Sequence, residues 1–179
     1  DRAHTTMAPS PLCADCAREY ADPNDRRFHA QATACHACGP KAVLRRLDGR
    51  AFSLDALTSL DDIDAATTLI GKGEIVLIKG LGGYQLACDA TNADAVARLR
   101  ELKRRDAKPF ALMVRDLDML HAWCVVDEAA ETALTSAAAP IVLLPRSATA
   151  NLAEGVAPGL PTLGVMLPPT ALHPLLMRR

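Results

Sequence analysis

Four cysteines near one end constrain this chain more than any other feature. The stretch CADCAREYADPNDRRFHAQATACHAC, Cys13 to Cys38, holds two Cys-x-x-Cys pairs, Cys13/Cys16 and Cys35/Cys38, with eighteen residues between them. Each pair wraps a tight turn that aims both sulfurs at one point. Two such turns together give four thiolates in a tetrahedron, the arrangement Zn2+ prefers, and the separation falls within the roughly 15–20 residues of structural zinc sites. Two disulfides or four unrelated thiols are the alternative, but nothing else in the chain points to an oxidising compartment. His29 and His36 leave open a site of three cysteines and one histidine. The intervening Ala21-Asp22-Pro23-Asn24-Asp25 is turn chemistry. So short and polar a segment cannot bury a core, so metal binding has to supply its folding free energy.

The rest of the chain is richer in apolar residues. At 179 residues it fits one ordinary domain plus a small module. Half the residues are apolar but only 3% are aromatic, so the core must be built from Ala, Leu, Val and Ile. A net charge of −1 argues against nucleic-acid binding by bulk charge, though not against a local basic patch. No charged-then-apolar leader opens the sequence and no apolar run approaches the ~18 residues of a membrane span, which predicts a soluble, cytoplasmic chain. Cys88 and Cys124 read as buried free thiols. DRAHTTMAPS resembles a linker and LHPLLMRR a helix just beginning, so the chain reads as a piece of a larger protein.

In order, residues 1–12 are expected as a linker arm, 13–40 as the zinc-finger-like module and 41–58 as a connector with a turn at Asp48-Gly49. From residue 59 to 179 strands alternate with helices, predicting an α/β domain with a mixed, twisted sheet. Ser59 with Asp62 reads as a capping box, with Ile63, Ala66 and Ile70 on one face and Gly71 or Gly73 as the stop. A buried strand, Glu74–Lys79, runs into Gly80-Leu81-Gly82-Gly83. A helix from near Thr91 carries Val96, Leu99 and Leu102 as its apolar stripe. Strands follow over 109–114, 141–144 and 163–167, with helices near 116–123 and 127–138.

Two places carry candidate chemistry. Glycines after a strand, in Lys79-Gly80-Leu81-Gly82-Gly83-Tyr84, let backbone N–H groups approach an anion, but from the pattern alone a tight turn at a sheet edge is the favoured reading. Arg98, Arg100, Lys103, Arg104, Arg105 and Lys108 form a basic cluster at a helix end, either a solvated face or a phosphate site. His121 and His173 are isolated and read as packed histidines. Asp61 and Asp62 stand at a helix start, where capping explains them.

Taken together, CADC-x18-CHACGP, EYADPNDRRFHAQ, IKGLGGYQLACDATN and KRRDAKPFALMV resemble the HypF family of hydrogenase maturation carbamoyltransferases, over about Cys13 to Leu167. The resemblance implies a small four-cysteine zinc module, followed by a YrdC-like α/β domain truncated at its C-terminal end. It implies Zn2+ on Cys13, Cys16, Cys35 and Cys38, as half of a double module. It also implies an ATP site, with Mg2+ accompanying the nucleotide, using Lys79, Gly82, Gly83, Tyr84, Asp89, Lys103, Arg105 and Lys108. Lys103 and Arg105 match the family's Lys-x-Arg, whose charges neutralise phosphates. KGLGGYQLACDA stands where threonine-recognising YrdC domains carry Tyr-Gly-Leu-Gly-x-Asp-Ala, and its glycines fit a smaller acyl group. The implied reaction joins carbamoyl phosphate and ATP into carbamoyl adenylate and passes the carbamoyl group to the C-terminal cysteine of a HypE-type acceptor. The family's Ser-x-Asn stretch would fall just beyond Leu167, so this piece alone is expected to be inactive. Gln31-Ala32-Thr33 departs from the proline usual after the glutamine. The competing reading is a YrdC-like RNA-binding module of tRNA modification that forms threonylcarbamoyl adenylate; the glycines and near-neutral charge weigh against it.

Overall fold

The computed structural model describes all residues except Asp1, Thr6, 51–60, Leu81, Arg178 and Arg179. It divides into two compact units, Asp1–Val43 and Leu44–Arg179. Among the described residues no helix is long and apolar enough to cross a membrane.

In the first unit, helix α1 (Ala14–Ala21) starts directly after Cys13, which stands at its N-cap with extended backbone. The turn predicted at 21–25 forms as two successive Asx turns: Asp22 accepts from Asn24 N–H at 2.9 Å and Asp25 from Arg27 N–H at 2.7 Å. The opening residues are tied in. Arg2–His4 form a 3-10 helix, and the buried Arg2 guanidinium donates to the carbonyls of Ser10, Gln31 and Thr33.

In the second unit, α2 (Asp62–Gly71) leads into β1 (Val76–Gly80) and β2 (Gly83–Ala87), an antiparallel hairpin in which Gly80 faces Gly83. Next come α3 (Ala93–Lys103), β3 (Ala111–Met113), α4 (Leu117–Trp123), α5 (Glu128–Thr135) and β4 (Val142–Pro145). A 3-10 turn at Glu154–Val156, β5 (Thr162–Met166) and α6 (Leu172–Leu176) complete it. The order in the larger sheet is β3-β5-β4, parallel on one side of β5 and antiparallel on the other. This is the mixed sheet predicted. Parallel pairing of β3 with β5 needs a crossover, and α4, α5 and β4 provide it. Leu163 and Val165 of β5 point into a core shared with Val114, Leu120, Leu134 and Val96.

Four helices start on an Asx side chain. Asp61, Asn92, Asp116 and Asp127 each accept from a backbone N–H in the first turn of α2, α3, α4 and α5. Each cap contributes ~1 kcal/mol. The Ser59–Asp62 box is corrected, because Asp62 is the first residue of α2 and Asp61, expected at a helix start, caps it; α3 starts near Thr91 as predicted, capped by Asn92. Ser59 lies outside the described residues. Asp62 instead accepts from Leu44 N–H at 2.9 Å. Leu102 is corrected as well: Val96 and Leu99 are buried, but Leu102 is 67% exposed because the last turn of α3 runs past the edge of the core. Asp48-Gly49 does form a turn, with Gly49 at φ 74° and Arg46 forked onto the Asp48 carboxylate. That ion pair holds Asp48 down at about 2. The preceding flank of this turn is not a strand, and its other flank runs into residues outside those described.

Candidate functional site

The four cysteines converge. Cys13, Cys16, Cys35 and Cys38 place their sulfurs within 4.8 Å of one another. Cys13 and Cys35 Sγ lie 3.6 Å apart, and Cys35 and Cys38 Sγ 3.9 Å. Zn–S bonds of about 2.3 Å set the edges of a tetrahedron at roughly 3.8 Å, so the thiols fit Zn2+. All four are free thiols, as are Cys88 and Cys124, which removes the disulfide reading. Each pair is shaped differently. α1 presents Cys16 from its first turn, while Cys35–Gly39 closes as a turn with Gly39 N–H donating to Cys35 O at 2.6 Å. A Cβ on Gly39 would lie 2.7 Å from that carbonyl, so the turn requires glycine.

Backbone dipoles prepare the sulfurs. N–H groups of Cys38 and then Ala37 hold the Cys35 thiol below its ordinary value. Those of Cys13 and Cys35 bring Cys38 down to about 6. Burial, then the other three thiols, pushes Cys16 up. Metal binding removes the protons from all four. Neither histidine joins the quartet. His29 stacks on Tyr20 with ring centroids 5.1 Å apart and donates its backbone N–H to Tyr20 O at 3.0 Å.

The eight residues expected at a nucleotide site lie on two segments. On the hairpin, Lys79 is the cross-strand partner of Tyr84, whose ring is 67% exposed, and Gly83 takes φ 133°. The glycine stretch is thus a hairpin connection between β1 and β2; its Leu81 is not among the described residues. Asp89 closes its own turn, accepting from Thr91 N–H at 2.8 Å and Thr91 Oγ1 at 2.7 Å. Lys103 ends α3, and Arg105 and Lys108 lie on the loop to β3. Among the described residues Lys103 and Lys108 have no ion-pair partner, whereas Arg105 donates to Pro109 O at 3.4 Å. A nearby concavity of about 480 Å3 is lined by Glu74, Ile75, Arg98, Glu101 and Leu102, none of them in the predicted set.

The basic cluster is not uniform. Arg98 donates to Gly73 O and Arg100 to Gly155 O, so two of its cations hold backbone, Arg98 while exposed and Arg100 while half-buried. Cys124 is buried as expected, whereas Cys88 is corrected to half-buried; burial pushes both thiols up. His121 is corrected from packed to exposed, 3.5 Å from Glu131, because α4 turns it outward beside α5. His173 is buried as expected.

With this geometry in place, comparisons with known proteins are specific. Residues 12–44 match the family model described as "HypF finger", and residues 68–179 match "Telomere recombination", the Sua5/YciO/YrdC model. Carbamoyltransferase HypF of Rhodobacter capsulatus is 53% identical over 177 residues, which cover 99% of this chain and 23% of that protein. The chain belongs to the HypF family. The crystal structure of T. kodakarensis HypF matches with a TM-score of 0.84 at 43% identity, covering 100% of this chain and 23% of that one. Full-length HypF in its phosphate- and nucleotide-bound form matches with a TM-score of 0.81 at 44% identity, covering 99% and 22%. E. coli YciO, at 23% identity and a TM-score of 0.54 over 65% of this chain and 57% of that one, shares the fold. The chain therefore spans between a fifth and a quarter of the length of these HypF relatives. Within the first unit, sequence reasoning missed Gly39 and Arg2. The Cys-Gly step after the second pair signalled the glycine, but nothing in a lone arginine near the start of the chain signalled a carbonyl clamp.

Proposed function

We propose that this chain is the finger and nucleotide-binding part of a carbamoyltransferase that makes carbamoyl adenylate: water cleaves carbamoyl phosphate to carbamate and phosphate, and the carbamate oxygen attacks the α-phosphorus of ATP, expelling pyrophosphate. The carbamoyl group then passes to the C-terminal cysteine of a HypE-type acceptor, toward the cyanide ligand of a [NiFe] centre. The observation that carries this reading is the near-complete match to Carbamoyltransferase HypF across both units. The nucleotide-bound form of a HypF protein of 44% identity supports the ATP site. Cys13, Cys16, Cys35 and Cys38 hold Zn2+, which fixes the finger and takes no part in the chemistry. Lys103, Arg105 and Lys108 meet the nucleotide phosphates, whose oxygens also carry Mg2+, with Lys79, Gly82, Gly83, Tyr84 and Asp89 on the acyl side. Lysine brings a compact charge and arginine a planar fork, and both stabilise charge as pyrophosphate leaves. The protein acts in the cytoplasm.

The test is carbamoyl-phosphate-dependent ATP–pyrophosphate exchange by the full-length protein. Lys103→Ala and Arg105→Ala are expected to lower exchange about hundredfold; normal exchange would overturn the phosphate assignment. A salt-dependent RNA shift, lost on Arg104→Glu with Arg105→Glu, would favour the tRNA-modification reading instead.

A further inference from the structure

Arg100 lies in the last turn of α3, and its side chain turns back over the loop that follows. A guanidinium has five N–H donors in a rigid plane. Here Nε donates to Gly155 O, and Nη1 donates to Arg105 O at 2.9 Å and Asp106 O at 3.2 Å. Nη2 reaches Lys108 O at 3.4 Å. One cation thus gathers three carbonyls of the 105–108 loop and a fourth from the 3-10 turn.

Further observations show that the loop is held rather than draped. Its first residue, Arg104, is left-handed at φ 47° and ψ 49°, a conformation costing a non-glycine residue about 1 kcal/mol. Arg105 N–H then returns to Arg100 O at 3.0 Å. Two guanidiniums lie over the Phe110 ring, with Arg100 Cζ 4.9 Å and Arg105 Cζ 5.2 Å from its centroid. The second anchor is just as tightly placed: a Cβ on Gly155 would lie 2.9 Å from Val96 Cγ1 and 3.6 Å from Arg100 Nε.

An arginine with four of its five donors on carbonyls is committed to the backbone rather than to a ligand phosphate. We infer that Arg100 is a positioning residue: it fixes the backbone from which Arg105 and Lys108 reach the nucleotide, so that these cations need no reorganisation when the nucleotide arrives. This rests on the reading that Lys103, Arg105 and Lys108 meet the phosphates.

The experiment uses full-length Arg100→Gln and Arg100→Lys. Lysine keeps a stem and a charge but not the fork, so it secures folding without restoring the clamp. In both variants the KM for ATP in the exchange assay is expected to rise about tenfold, with the KM for carbamoyl phosphate unchanged. Amide hydrogen exchange over 104–108 should quicken while α5 keeps its protection. A variant that melts at lower temperature but keeps the wild-type KM for ATP would make Arg100 merely architectural and overturn the inference. Rescue by Arg100→Lys would overturn it too. Normal exchange in Lys103→Ala and Arg105→Ala would remove the phosphate reading, and the positioning role with it. Loss there beside wild-type kinetics in both Arg100 variants would remove the positioning role alone.

Discussion

Cys13 and Cys35 bring their sulfurs to 3.6 Å across the finger, although twenty-one residues separate them in the chain. The contact that closes the unit is therefore between the pairs, and each pair depends on the other. Native mass spectrometry of the full-length protein is expected to show this unit holding about one zinc. Cys13→Ser with Cys16→Ser should remove that zinc and unfold the finger. A finger that folds without metal would contradict the assignment.

Gly39 makes a sharper test of the same centre, because it changes no ligand. Its N–H donates to Cys35 O, and an added methyl would press on that oxygen at 2.7 Å. Gly39→Ala is expected to weaken zinc binding about tenfold, read as faster metal release to a chelator. An unchanged release rate would show that the turn relaxes freely.

Two leucines on neighbouring helices should respond in opposite ways. Leu120 of α4 is fully buried, whereas Leu102 of α3 is 67% exposed. Leu120→Ala is expected to destabilise the second unit by about 2–5 kcal/mol. Leu102→Ala should stay within about 0.5 kcal/mol. Urea denaturation followed by circular dichroism separates the two, and equal costs would mean the core boundary is misplaced.

His173 gives the second unit a pH dependence. Its Nδ1 lies 2.7 Å from Thr170 Oγ1, and its buried Nε2 has no partner among the described residues. Burial lowers its pKa from the usual 6.5, so the folded state favours the neutral ring. The unfolded chain binds the proton first, so the stability is complete above the unfolded pKa and is lost as pH falls through the folded one. Thermal melts at successively lower pH, starting above neutrality, should show His173→Gln with a flatter decline than the wild type. Parallel curves would mean that the ring is not the titrating group.

Much of this was legible from local chemistry. The cysteine spacing revealed the quartet because a Cys-x-x-Cys turn aims its sulfurs with little help from the rest of the fold. The strands at 109–114, 141–144 and 163–167 were visible as short apolar runs between turn residues. The exact start of α2 was less so: Asp61 stands beside other residues able to cap, and only the point at which the backbone turns helical selects one. Leu102 fits the helical period but not the core, since period says which face a residue is on and not how far the neighbouring layer extends. Arg98 and Arg100 could not be separated from Lys103 by sequence, because their carbonyl partners Gly73 and Gly155 lie 25 and 55 residues away.

One hydrogen bond also sets a timetable. Thr67 Oγ1 in α2 donates to Leu176 O in α6, 109 residues later. At roughly 5–20 residues per second of synthesis, α2 leaves the ribosome on the order of ten seconds before that acceptor exists. The finger's metal ligands all lie within its own short segment. During translation the metal-binding end can therefore close first, while α2 waits for its partner with an apolar face that a chaperone could cover.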